Sequence, residues 1–382
     1  MSFFHAEIAG IGVKYSFRNP FTALFFDGFQ KNGPDTGAGD DGSFEHVAVS
    51  DKQFMAEKSA FPSDATPEHI EFKALIPVTS AALLSSAPVC VFHAVALNAL
   101  GRAWLIAAPS GVGKTTQLKN WRLMQDVPDA GVISGDMPVL ERQSDGSVMV
   151  HPSPWNGKEG YRGAPAAPLG GIVCLERAEL CEENSIRLLD PSERIEKCLG
   201  QFVCLPETAE QTDRLARLAD ATLCGYPVWL LRNRGDAEST ALMIKTIEHY
   251  SAESPSCPGE APRSGPDVPA ASGCAKIQNA TETLSEAAGV VRYLRRDGVL
   301  LEKICGEYLL MADAAARKTL PFLSAVNEPS AMIWEFIATP RDLQECVGML
   351  GEEYPDVDRE RLAADASAFL SEMEKKGYVM TC

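Results

Sequence analysis

The sequence has no C-x-x-C pair, although it holds 11 cysteines. It also has no Cys/His pairing of the spacing that zinc modules use. Scattered thiols of this kind are expected to be reduced core or surface residues. No apolar run approaches the roughly eighteen residues that a membrane-crossing helix needs. The N-terminal "MSFFHAEIAGIGVKYSF" lacks a basic stretch followed by an apolar one. No signal peptide is therefore expected, and the expected location is cytoplasmic. Positive charge is in short supply: Lys and Arg number 35 against 52 Asp and Glu, a net charge of −17. That balance sets aside a general nucleic-acid binder, which needs a basic face to release counterions. It also disfavours an anionic membrane surface. No internal repeat is visible.

What is present is a chain of 382 residues, 45% hydrophobic and 23% charged. That is ordinary for globular domains and long enough for two or three. Residues 1–90 read as short strands and turns, with "KNGPDTGAGDDGS" (31–43) an exposed loop. "APVCVFHAVAL" and "NALGRAWLIAAP" read as buried strands, and "KTTQLKNWRLMQ" as a helix. "GVISGDMPVLER" (131–142) reads as strand, tight turn, strand, followed by a hairpin turn at "SDGSV". "PLGGIVCLER" and "GYPVWLLRN" read as further strands. Helices are expected after Asp190 and Pro191 and over "DAESTALMIKTIEHY".

Residues 251–287 are dense in Pro, Ser and Gly and poor in large apolar side chains. They cannot build a core and are expected to be a flexible linker. This predicts a domain over 1–250 and a smaller one over 288–382. The smaller one opens with three short strands, turning at Asp297-Gly298 and Gly306. Three helices follow, the last closed by Gly377.

The stretch that carries chemistry is "APSGVGKT", residues 108–115. It fits the Walker A phosphate-binding pattern except that Ala108 replaces the first glycine. Gly111 and Gly113 allow a backbone that other residues resist. The amides of Ser110, Gly111, Val112, Gly113, Lys114, Thr115 and Thr116 can then curl around a phosphate at a helix N-terminus. Lys114 supplies a mobile cation, and the Thr115 hydroxyl a ligand for Mg²⁺. A second metal ligand or a base is needed. Asp136, at the end of an apolar strand some twenty residues on, fits either role. His93 lies fifteen positions before Ala108; read alone, it is an ordinary core histidine.

These features together resemble the HPr kinase/phosphorylase-like kinases. The resemblance runs from about 70 to 248, through "FHAVALNALGRAWLIAAPSGVGKTT", Asp136 and "HPSPWNGKEGY". It implies an α/β domain with a P-loop on a phosphoenolpyruvate-carboxykinase-like core, using ATP and Mg²⁺. It gives His93 a catalytic place beside Asp136 and Lys114, makes Lys158 and Arg162 candidate substrate contacts, and suggests a homo-oligomer. The family carries two adjacent aspartates where this chain has Gly135-Asp136.

The C-terminal region resembles the PqqD-like domains, or RiPP recognition elements, most specifically at Asn327, Glu328 and Trp334. That resemblance implies an α+β winged helix of three strands and three helices. In such domains a leader peptide adds a strand to the sheet. The strand near Tyr308, Leu309, Leu310 and Met311, and Phe369 on the last helix, are the implied peptide contacts, with Trp334 in the core. The expected function is phosphorylation of a Ser or Thr hydroxyl on a ribosomally made precursor peptide. A non-catalytic nucleotide-binding adaptor for other maturation enzymes, or a small-molecule kinase, are the alternatives.

Overall fold

The computed structural model describes residues 3–30, 44–124, 131–179, 182–253 and 291–382. The loop expected at 31–43 and nearly all of the expected linker lie outside them. Contacts divide the chain into two units. The first is Met1–Gly259 with Gly298–Val326, and the second is Glu260–Asp297 with Asn327–Cys382.

The first unit begins with β1 (Phe4–Ile8), β2 (Ile11–Ser16) and β3 (Glu45–Ala48), which form one small sheet. Helices α1 (Asp51–Ala60) and α2 (Pro67–Ser86) follow. The reading of 1–90 as short strands and turns therefore fails over 51–86. The reason lies in the burial of α2. Ile70, Phe72, Leu75, Ile76, Leu83 and Leu84 are all buried, and they surround the helix. A helix covered on several sides shows no single apolar stripe, so its period is hidden. Pro77 inside it is a further false breaker signal. Glu71, fully buried on this helix, accepts hydrogen bonds from the Arg18 and Asn19 amides and the Thr22 hydroxyl. These bonds fasten the N-terminal segment to α2.

A nine-stranded curled sheet forms the centre of the unit. Its strands are β4 (Val89–Val91), β5 (Ala94–Ala99), β6 (Arg102–Ala107), then, after α3 (Lys114–Met124), β7 (Val132–Ser134), β8 (Val139–Arg142), β9 (Val148–His151), β10 (Ala167–Arg177) and β11 (Ser185–Leu188). Helices α4 (Pro191–Cys198) and α5 (Ala209–Cys224) precede the last strand, β12 (Val228–Asn233), and α6 (Ala237–Glu253) closes the segment. Asp190 caps α4 by accepting from the Glu193 amide, with Pro191 in the first turn, as the sequence indicates.

Alternation along β6 shows why the sheet is covered on both faces. Trp104 and Ile106 join Leu118, Trp121, Met243 and Ile247 of α3 and α6 in one apolar cluster. Ala103, Leu105 and Ala107 join Leu215, Leu218 and Leu223 of α5 in another.

After β13 (Arg292–Arg295), the chain forms an antiparallel sheet of β14 (Val299–Ile304), β15 (Glu307–Ala312) and β16 (Leu323–Val326), in that order. Ile304, Leu309 and Met311 enter the α5-side cluster, which is why this sheet belongs to the first unit. The segment expected to begin at 288 thus contributes to both units. The second unit holds α7 (Glu328–Phe336), β17 (Arg341–Asp342), α8 (Leu343–Glu353), α9 (Arg359–Lys376) and β18 (Val379–Thr381), with β13 pairing between β17 and β18. Trp334 is fully buried, edge-on to Tyr378. Gly377 ends α9 in the left-handed conformation (φ 83°), as expected of a glycine cap.

Candidate active site

Strand direction gathers the candidate residues at one rim of the sheet. β6, β10 and β12 run parallel, with Cys174 opposite Ala107 and Ile172 opposite Val228. β5 runs antiparallel to β6, and β7 antiparallel to β5. The ends of β6, β7, β10 and β12 and the start of β5 therefore meet on the same side. Ala108–Gly113 leaves from β6, Asp136 follows β7, Arg177 ends β10, Asn233 ends β12 and His93 precedes β5. In open α/β sheets this carboxyl rim is where ligands bind.

The loop from Ala108 turns at Gly111 (φ 83°) and Gly113 (φ 122°) before α3 starts at Lys114. Both glycines lie where L side chains are strained. Ser110 and Thr116 are exposed, while Val112 and Thr115 are half-buried. Lys114 is buried, and its ammonium donates to the Ala108 carbonyl at 2.8 Å. Burial lowers its pKa, and the nearby Asp136 charge opposes that. Arg177 donates to the Gly111 carbonyl at 2.6 Å from across the loop. Sequence reading passed over Arg177, because only the parallel β6–β10 pairing brings it to the loop.

Asp136 lies between an imidazole and an ammonium group. His93 Nε2 is 3.6 Å from Oδ1, and Lys73 Nζ is 3.5 Å from Oδ2. Main-chain bonds fix their positions. The Ala94 amide donates to the Asp136 carbonyl at 2.9 Å, and the His93 amide to the Gln201 carbonyl at 2.8 Å. Burial pushes the Asp136 carboxyl upward, but the His93 hydrogen bond and the charges of Lys73, His93 and Lys114 together outweigh it. The net pKa lies below the ordinary aspartate value. Asp136 is thus a carboxylate at neutral pH.

Lys73 is the residue that sequence reading missed. Its signal was a lone lysine inside the apolar stretch "HIEFKALIPV" of α2. A half-buried lysine on a mostly buried helix needs a carboxylate partner.

The segment Ser153–Gly163 closes one side of the site. Trp155 Nε1 donates to the Phe72 carbonyl of α2 at 2.8 Å. Lys119 of α3 pairs with Glu159 at 3.0 Å, and Arg122 lies 4.2 Å over the Tyr161 ring. Lys158 is exposed; burial, then Lys73 and Lys158, hold the His69 imidazole below its ordinary pKa against Glu68. Arg162 turns elsewhere, with its guanidinium 3.7 Å from Asp27 and 5.7 Å from the Phe29 ring.

The implied peptide contacts need a correction. β15 is the central strand of its sheet, paired by β14 on one side and β16 on the other. Leu309, Leu310 and Met311 are buried, and Tyr308 pairs with both Lys303 and Val326. Tyr308–Met311 therefore offers no edge for an added strand. "LSAV", which sequence reading left unassigned, supplies the third strand. Phe369, in the second unit, helps to line a groove of about 510 Å³ between α7, α8 and α9, with Ile333, Leu350, Leu362 and Ala366.

Residues 321–379 match the family of coenzyme PQQ synthesis protein D (PqqD). No curated protein matches the chain. Among solved structures, the HPr(Ser) kinase/phosphatase from Coxiella burnetii is similar, at 13% identity and a TM-score of 0.26, over 44% of this chain and 99% of that one. That score is too low to establish a shared fold. The chain is thus a mixed α/β protein with a PqqD region at its C-terminal end. Among the described residues, no helix is long and apolar enough to cross a membrane.

Proposed function

We propose that this chain is an ATP-dependent kinase acting on a Ser or Thr hydroxyl of a ribosomally made precursor peptide. The observation that carries the reading is the convergence of Lys114, Asp136, His93 and Lys73 at one carboxyl rim. The two Asp136 contacts measure 3.5 and 3.6 Å. The left-handed Gly111 and Gly113 ahead of α3 suit a phosphate, and the Thr115 hydroxyl with the Asp136 carboxylate is a donor set for Mg²⁺. When bound, ATP supplies the phosphoryl group and Mg²⁺ offsets its charge.

The residues divide the work. The amides of 110–116 hold the phosphates. Lys114 leaves the Ala108 carbonyl and turns to the phosphate oxygens. Thr115 and Asp136 hold the metal. Asp136, kept ionised by its neighbours, also accepts the proton of the attacking hydroxyl. His93 and Lys73 fix its orientation. The PqqD region receives the leader, with apolar leader side chains in the Phe369 groove. The linker then raises the effective concentration of the attached core peptide.

A non-catalytic adaptor is the second reading, favoured by one observation: Gly135 leaves a single aspartate in the acidic turn. Equilibrium nucleotide binding tests the reading. Mg-ATP affinity should fall at least about tenfold in Lys114→Ala, with the fold retained. Equal affinity in both proteins would sink the phosphate-loop assignment.

A further inference from the structure

Away from the rim, three metal-binding side chains converge where the β14–β15 hairpin meets the end of α5. Asp220 and Cys224 are four residues apart, so they share one helix face. Cys305 sits at the hairpin turn with φ 53°. Its amide donates to Asp220 Oδ1 at 2.9 Å, and the Cys224 thiol lies 3.3 Å from the same oxygen. One ligand atom from each of the three lies within 4.8 Å of the others. Cys224 is exposed and Cys305 is partly buried, so the cluster is open to solvent.

We propose that Asp220, Cys224 and Cys305 bind one zinc-class divalent ion. Two thiolates and one carboxylate are a donor set for zinc, with water as the fourth ligand. Zinc–sulfur bonds of about 2.3 Å place tetrahedral ligand atoms roughly 3.7 Å apart. The cluster needs only a small contraction to reach that. Sulfur ligands select zinc over magnesium or calcium. On binding, the two thiol protons pass to solvent and two metal–sulfur bonds form, with no change of oxidation state. The ion clamps the hairpin to α5 and so holds the β14–β16 sheet in the first unit. The ligands lie on a helix and on a hairpin, with Cys305 85 residues after Asp220. No local Cys spacing could have announced them.

The test uses the full chain, purified anaerobically without chelator. Bound metal is measured by mass spectrometry, and the apo form is titrated with Co²⁺ alone. We expect one zinc per chain and a near-ultraviolet cobalt–thiolate band. Cys224→Ser and Cys305→Ser should each remove about half of that band and weaken metal binding at least about tenfold. Cys382→Ser, at an exposed cysteine of the second unit, should leave both unchanged. Circular dichroism checks that each variant folds. The proposal is overturned if no metal is retained at stoichiometric zinc. It is equally overturned if the band persists in both serine variants, or if Cys224 and Cys305 are isolated as a disulfide.

Discussion

Gly135 packs directly on the main chain of Asn156. A Cβ at 135 would overlap the Asn156 carbonyl oxygen and lie 3.2 Å from that of Tyr161. The segment after β9 thus occupies the space that a side chain at 135 would fill. An aspartate side chain at 135 would therefore meet that main chain. Lys73 and His93 meanwhile flank the Asp136 carboxylate at 3.5 and 3.6 Å.

Gly135→Ala and Gly135→Asp are therefore both expected to destabilise the chain, by about 1–3 kcal/mol as overpacked sites do. An aspartate at 135 should lower stability and raise no activity. Chemical denaturation with parallel phosphotransfer assays checks both halves. An active, equally stable Gly135→Asp protein would contradict the packing argument.

Lys114→Ala should retain the fold, because the lysine ammonium donates to the Ala108 carbonyl of its own loop. Phosphotransfer should fall at least about a hundredfold, as when one charge-stabilising donor is removed from an active site. Thermal melting and initial rates measure the two effects separately.

Lys73→Met tests the electrostatic role of α2. Removing a cation 3.5 Å from Asp136 raises the carboxyl pKa. The acid limb of the rate profile should move to higher pH, with less change at the alkaline end. The stability contributed by the depressed Asp136 pKa is present above the unfolded value and lost as pH falls through the folded one. In Lys73→Met the folded value lies nearer the unfolded one, so that loss is smaller and is complete at higher pH. Rate profiles and melting curves across the acid range report both shifts.

Glu302 on β14 makes an opposite prediction. Burial, reinforced by Asp213 and opposed by Arg217, raises its pKa to about 7 from the ordinary 4.5. Between those values the folded chain holds a proton that the unfolded chain has released. Stability therefore falls as pH rises across that window. Glu302→Gln should raise the melting temperature at about pH 8 and change it little at about pH 4.

Much of this architecture was legible because local signals agreed. The Asp190-Pro191 helix start, the Gly377 cap and the alternation along β6 each rest on a few adjacent residues. The positive-φ turns at Gly111 and Gly113 read clearly for the same reason. What stayed hidden was long-range. α2 is buried around its circumference, so its period carried no stripe. Lys73 reaches Asp136 from 63 residues away. Arg177 reaches Gly111 only through strand pairing. The order β14-β15-β16 turned an expected edge strand into a central one, since "LSAV" is too short to announce itself.

The central claim is phosphoryl transfer to a peptide hydroxyl, and weighing the peptide tests it most directly. The chain would be incubated with Mg-ATP and the precursor peptide encoded nearest its gene. The account predicts a gain of about 80 Da, one phosphoryl group, lost in Asp136→Asn and reduced in a chain lacking residues 327–382 of the second unit. An unchanged peptide mass, with nucleotide and peptide both bound, would contradict it and leave the adaptor reading.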